Sequence, residues 1–124
     1  YSGVSPDSTR LAVRPRAGSS LVVYSTKGGW SDDEVEMNVV KVPIDSEVRV
    51  SATPPIWLDN RLVLMDMGGQ IWRVDTRRDN AEQIKNLPQP TQRRKYSMVA
   101  SPSREQLALE VAVEKGFELQ VADL

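Results

Sequence analysis

The stretch Ser101-Pro102-Ser103-Arg104-Glu105-Gln106-Leu107-Ala108-Leu109-Glu110 constrains this chain more than any other, because it recurs. Early in the chain it reads Ser5-Pro6-Asp7-Ser8-Thr9-Arg10-Leu11-Ala12-Val13. In the middle it reads Trp57-Leu58-Asp59-Asn60-Arg61-Leu62-Val63-Leu64-Met65. Each copy is a polar turn running into a short apolar strand, followed by another turn and another strand. Pro presets φ in such turns, and Ser and Asp side chains bond the local backbone.

Between the copies the pattern is of strands. Thr9 to Arg14 and Leu21-Val22-Val23-Tyr24 read as a hairpin, broken by Pro15 and Gly18. Val35, Met37 and Val39 alternate with Glu36, Asn38 and Val40, the period of two that a half-buried strand shows. Val48 and Val50 extend this region after Pro43. Ile56-Trp57, Leu62 to Met65 and Gln70 to Asp75 follow, the last two joined by Gly68-Gly69 as a hairpin turn. Ala81 to Leu87 is a weaker outer strand, ended by Pro88 and Pro90. Tyr96 to Ala100, Gln106 to Val113 and the alternating Phe117, Leu119 and Val121 complete the series, with Glu114-Lys115-Gly116 turning the chain between the last two.

No segment carries an amphipathic helical period, so an all-β chain with less than about a tenth helix is expected. Taking the leucines at 11, 62 and 107 as equivalent gives a period of roughly 40–50 residues. With about four short strands per unit, that is the spacing of β-propeller blades. The expected units are 1–53, 54–94 and 95–124, a partial propeller of two to three blades. A β-sandwich is the alternative, since it also has short strands punctuated by turns. The final strand, Phe117 to Asp123, should be an edge awaiting a fourth strand. Something under three blades falls short of the ~4–8 of a closed ring. The chain is therefore expected to be part of a larger ring, as a piece of a longer protein or by association with other chains; the start at Tyr1, without Met or a leader, reads as a processed product or a piece cut from something longer.

Composition excludes several chemistries. The chain has no His and no Cys, which removes Ser-His-Asp and Cys-His catalysis, thiolate zinc sites and disulfides. Its 16 basic and 17 acidic residues balance to a net charge of -1, with no general attraction to nucleic acid. No apolar run approaches the ~20 residues of a membrane helix, so direct membrane insertion is not expected.

The repeats resemble the TolB-type, WD40-like propeller repeat, in which Ser-Pro-Asp-Gly and a basic residue lead into a strand, then into an aliphatic-aromatic strand ending in Asp. Ser5 to Val13 with Leu21 to Tyr24 is similar to its first part. Gln70 to Asp75 and Glu118 to Asp123 are similar to its last strand. Ser8, Asn60 and Arg104 stand where the family has Gly, and Trp57-Leu58-Asp59 replaces Ser-Pro-Asp. The order of units is also similar to the propeller of actinobacterial LpqB-type lipoproteins. The resemblance implies a non-catalytic interaction scaffold in an extracytoplasmic, periplasmic or cell-surface bacterial setting, with no cofactor. Its partner would be another protein or the remaining blades of the same ring. The competing expectation is an accessory, gating propeller of a larger enzyme such as a prolyl-oligopeptidase-type serine peptidase.

Candidate site residues are few. Trp30, between Gly29 and Ser31 in a polar loop, suits an interface anchor or a ring folded back over the sheet. Asp32 and Asp33, with Glu34 and Glu36, offer oxygen ligands but at no calcium-loop spacing, and read as solvated carboxylates. Arg93 and Arg94, with Lys95, and the pair Arg77-Arg78 are short basic loops of the kind that contact phosphates, without interleaved aromatics. Trp30, Asp32, Asp33, Arg93 and Arg94 are therefore assigned to protein contact. Trp57 and Trp72 read as packing between sheets. The hydroxyls of Ser5, Ser101 and Ser103 read as turn formers, with no base to activate them.

Overall fold

The structure, a computed structural model, describes residues 2–15, 19–26, 30, 35–43, 54–67, 70–84, 96–113 and 115–124, of which 67, 96, 97 and 111–113 by backbone alone. These residues form strands and turns, with no helix. The first sheet is β1 (Ser2–Val4), β2 (Arg10–Val13), β3 (Ser20–Thr26) and β4 (Val35–Lys41), paired in that order. The second is β5 (Ile56–Trp57), β6 (Leu62–Met67), β7 (Gln70–Asp75) and β8 (Asn80–Gln83). The third has three strands, β9 (Tyr96–Ala100), β10 (Gln106–Val113) and β11 (Gly116–Asp123). Every pairing is antiparallel between successive strands, so each sheet is a meander.

The sheets pack face to face, with the second in the middle. Ala12, Leu21, Val23 and Val40 of the first sheet meet Trp57, Val63, Met65, Trp72 and Val74 of the second. On the opposite side of the second sheet, Leu64 and Ile71 meet Met98, Leu107 and Leu109 of the third. A strand alternates its side chains between two faces, so a strand covered on both sides must be apolar throughout. That is why β6 begins Leu-Val-Leu-Met without a polar break.

Three sets of hydrogen bonds define how the sheets correspond. The N–H groups of Thr26, Thr76 and Leu124 donate to the carbonyls of Thr9, Arg61 and Glu105 at 2.9, 3.1 and 2.8 Å. Those of Ser5, Leu58 and Ser101 donate to Arg10, Leu62 and Gln106 at 2.9, 2.8 and 2.9 Å. Arg10, Leu62 and Gln106 are therefore equivalent, and so are Leu11, Val63 and Leu107. The expected equivalence of Leu62 with Leu11 and Leu107 is off by one, because the middle turn is one residue shorter than its counterparts. A slip of one residue exchanges the faces of a strand, which is why Val63, not Leu62, packs toward the preceding sheet.

The turns that the repeat marks are built alike. Ser5 Oγ accepts from the Arg10 N–H at 3.0 Å, and Ser101 Oγ from the Gln106 N–H at 3.1 Å. Ser8 and Arg104 both lie in the left-handed region, at φ 62° and 63°. This is the conformation that makes Gly the usual occupant. In the middle turn Asp59 Oδ1 accepts from the N–H groups of Arg61 and Leu62, both at 2.7 Å. Of the weaker strand expected over 81–87, residues 81–83 are observed in β8, Ile84 lies past its end, and 85–87 lie outside the described residues. Val48, Val50 and Gly68-Gly69 lie outside the described residues.

Candidate interaction surface

The inter-sheet contact between the first and second sheets is clamped by arginines. The Arg10 side chain crosses from the first sheet, its Nε donating to Ser25 Oγ at 3.2 Å. Its Nη1 donates to the Asn60 carbonyl at 3.1 Å and to Thr76 Oγ1. The guanidinium also lies 5.5 Å from the centre of the Trp57 ring, a cation–π distance. Desolvation and the nearby Arg77 charge together lower its proton affinity, against Asp7 and Asp75. At the other end of β2, Arg14 Nη1 reaches the carbonyl and Oδ1 of Asp66 at 2.6 and 3.0 Å. The Trp57 indole N–H donates to the Gly3 carbonyl at 2.8 Å. Polar groups that reach across a buried interface fix one relative placement of the sheets.

Two carboxylates, those of Asp7 and Asp75, are shifted toward the ionised form. Asp7 accepts from the Ser5 and Thr9 hydroxyls, each at 2.7 Å, and from the Thr9 N–H, which lowers its pKa. Burial pushes Asp75 up, but the N–H groups of Arg77 and Arg78 and the Arg61 guanidinium outweigh it and leave it lowered. Ser5 Oγ and Ser101 Oγ are engaged in hydrogen bonds of their own turns.

Beyond these contacts lie two apolar end faces. Across the outer face of the first sheet, one row of register partners reads Val4, Leu11, Tyr24 and Met37, and the next reads Ser2, Val13, Val22 and Val39. Met37 is 63% exposed and Val4 55%. On the outer face of the third sheet, Val99, Ala108 and Val121 form a row. Phe117, Leu119 and Val121 stand 72%, 69% and 61% exposed along β11. Strand alternation predicts that Phe117, Leu119 and Val121 share a face; that the face is open depends on which neighbours pack there, and no single strand carries that information.

Of the residues assigned to protein contact, Trp30 is described. Trp30 is 45% exposed, and its indole N–H donates to the Ser8 carbonyl at 2.9 Å, leaning it on the first turn. Asp32, Asp33, Arg93 and Arg94 lie outside the described residues, as does Glu34, while Glu36 is exposed on β4. Among the described residues no three acidic groups gather as a metal site, and no helix is long and apolar enough to cross a membrane. Arg77 and Arg78 sit in the turn between β7 and β8, where their N–H groups serve Asp75. Comparisons with family models, with curated proteins and with solved structures find no match.

Proposed function

We propose that this chain is a non-catalytic propeller segment that serves as a protein-interaction scaffold in the bacterial envelope, each meander acting as one blade. The observation that carries this reading is the pair of open apolar end faces. The middle sheet is covered on both sides by faces equivalent to those two. The surface that packs inside the stack is thus repeated, uncovered, at each end, as suits a member of a longer series of blades or a docking platform. The resemblance to TolB-type repeats supports the envelope setting. The lack of His and Cys, and serines tied into turns, support a role in binding over catalysis.

The test is the light-scattering mass of the 124-residue chain across a concentration series, with Met37→Glu and Val121→Glu variants. Both positions are exposed, so the variants should keep the wild-type circular dichroism. The expected result is association of the wild-type chain that either charge weakens. A chain that stays monomeric throughout, with neither substitution altering its solubility, would overturn the reading.

A further inference from the structure

The two joints of the stack are built differently. Polar groups cross the first along its length. Arg10 Nη1 of the first sheet donates to the Asn60 carbonyl at 3.1 Å and to Thr76 Oγ1. Arg14 reaches Asp66 Oδ1 at 3.0 Å, and the Trp57 indole N–H reaches back to the Gly3 carbonyl at 2.8 Å. The Asp7 N–H donates to Asn60 Oδ1 at 3.0 Å, and Asn38 of β4 donates to Asp79 Oδ1.

The second joint can be compared with it place by place, because the turn hydrogen bonds set the three sheets in correspondence. Leu62 stands in the second sheet where Arg10 stands in the first, and its side chain has nothing to donate. Asp66 stands where Arg14 does, and is already engaged with Arg14 itself. Ala100 stands in the third sheet where Trp57 stands in the second, so the indole N–H and the area of the ring are both gone. Glu82, at the place of Asn38, is paired with Arg73 of its own sheet at 2.9 Å. What holds the second joint is carbon: Leu64 and Ile71 against Met98, Leu107 and Leu109, flanked by Ile56, Leu58, Ile84 and Ala122. Leu62, Asp66, Glu82 and Ala100 all belong to strands in the interior of the chain. The contrast is therefore a property of the joint and of neither chain end.

Apolar packing is non-directional, whereas hydrogen bonds and ion pairs that cross a buried interface hold one placement. We infer that the third sheet is a flap, which parts from the second sheet as a unit while the first and second stay locked together. Once parted, a three-stranded sheet has neither face covered and melts. Opening uncovers Leu64 and Ile71 on the locked pair, and Met98, Leu107 and Leu109 on the flap. The flap is a feature of the joint alone and holds with or without the scaffold reading.

The chain has no Cys, so a single introduced thiol reports without background. Met98→Cys places it in the second joint and Val23→Cys in the first, both at buried positions. Reaction of the folded 124-residue chain with a thiol reagent is followed across low urea concentrations. Met98→Cys is expected to react at least ~100-fold faster than Val23→Cys, the ratio that two charge-assisted contacts supply. Its urea slope should be below about half that of global unfolding, because only part of the surface opens. Arg10→Leu gives the first sheet the residue that the second carries at the same place. It should speed Val23→Cys at least ~10-fold and leave Met98→Cys within about threefold. Hydrogen exchange of the unsubstituted chain keeps the test standing where a Cys variant fails to fold. The amides of Leu107 to Leu109 should exchange at least ~100-fold faster than those of Val63 and Leu64. Equal thiol rates in the two joints, a full global urea slope for Met98→Cys, or Arg10→Leu speeding both thiols alike overturns the inference. So does equal protection of β10 and β6.

Discussion

Arg14→Met tests how the first two sheets are held together. Arg14 and Asp66 have side chains only 3% and 1% exposed, and their contact spans the first and second sheets. The other carboxylate oxygen of Asp66, Oδ2, has no hydrogen-bond partner among the described residues. Removing the guanidinium therefore leaves a buried carboxylate and a buried Asp66 carbonyl that have both lost their donor. The expected cost is about 3–5 kcal/mol, set against a total stability of about 5–15 kcal/mol for a domain of ordinary size. With a urea m-value of about 2 kcal/mol/M, the unfolding midpoint should fall by about 2 M. The double variant Arg14→Met/Asp66→Leu removes both charges and should return to within about 1 kcal/mol of the parent. Urea unfolding followed by tryptophan fluorescence reads all three chains, with constant m-values as the control for a native-like fold. A single-variant loss below about 1 kcal/mol, the size of a solvent-exposed pair, would refute this account. So would a double variant no more stable than the single one.

Arg104→Gly should raise stability by about 0.5–1 kcal/mol, because φ 63° costs a side-chain-bearing residue about 1–2 kcal/mol and glycine returns part of that as unfolded-state entropy; thermal unfolding reads it, and a lower midpoint would count against the turn geometry. Gly3→Ala should destabilise by about 1–3 kcal/mol, since its new methyl carbon would lie 2.5 Å from the Pro55 carbonyl oxygen, where β1 meets β5; an unchanged midpoint in urea would show that the two strands sit further apart. Asp7→Asn should flatten the acid limb of the stability profile. The folded-state pKa of Asp7 is lowered, so its contribution is present above the ordinary value of 3.8 and disappears as pH falls through the folded value. Unfolding of both chains at neutral and acid pH checks this, and parallel profiles would contradict it.

Much of the fold is legible in residues close together in the chain. Ser5-Pro6-Asp7 and Ser101-Pro102 mark turns because their side chains bond their own backbone, and that chemistry is local. Ser8 and Arg104, at corresponding places in the first and third turns, both have positive φ, as does Asp79 in the turn between β7 and β8. The alternation in 35–40 and 117–122 likewise locates β4 and β11. Less of the candidate surface is legible. Trp30 is conspicuous as a lone aromatic in a polar loop, but nothing in that loop announces its bond to Ser8. Arg10 reads as the basic residue of a repeat, and Arg14 as a strand-ending charge before Pro15. Their partners, Thr76 and Asp66, are more than 50 residues away and belong to another sheet.

The sequence by itself determined that this protein is built from short antiparallel strands in repeated meanders, because turn chemistry and a period of two depend on near neighbours alone. Which face of each strand is buried, and against what, was decided by tertiary structure. Leu62 and Val63 are adjacent and both apolar, and no local preference chooses which one corresponds to Leu11. A middle turn shorter by a single residue makes the choice, and packing between sheets enforces it. The joint between the second and third sheets has the same origin, since Leu64, Ile71 and Leu109 come together only when two separately formed sheets stack.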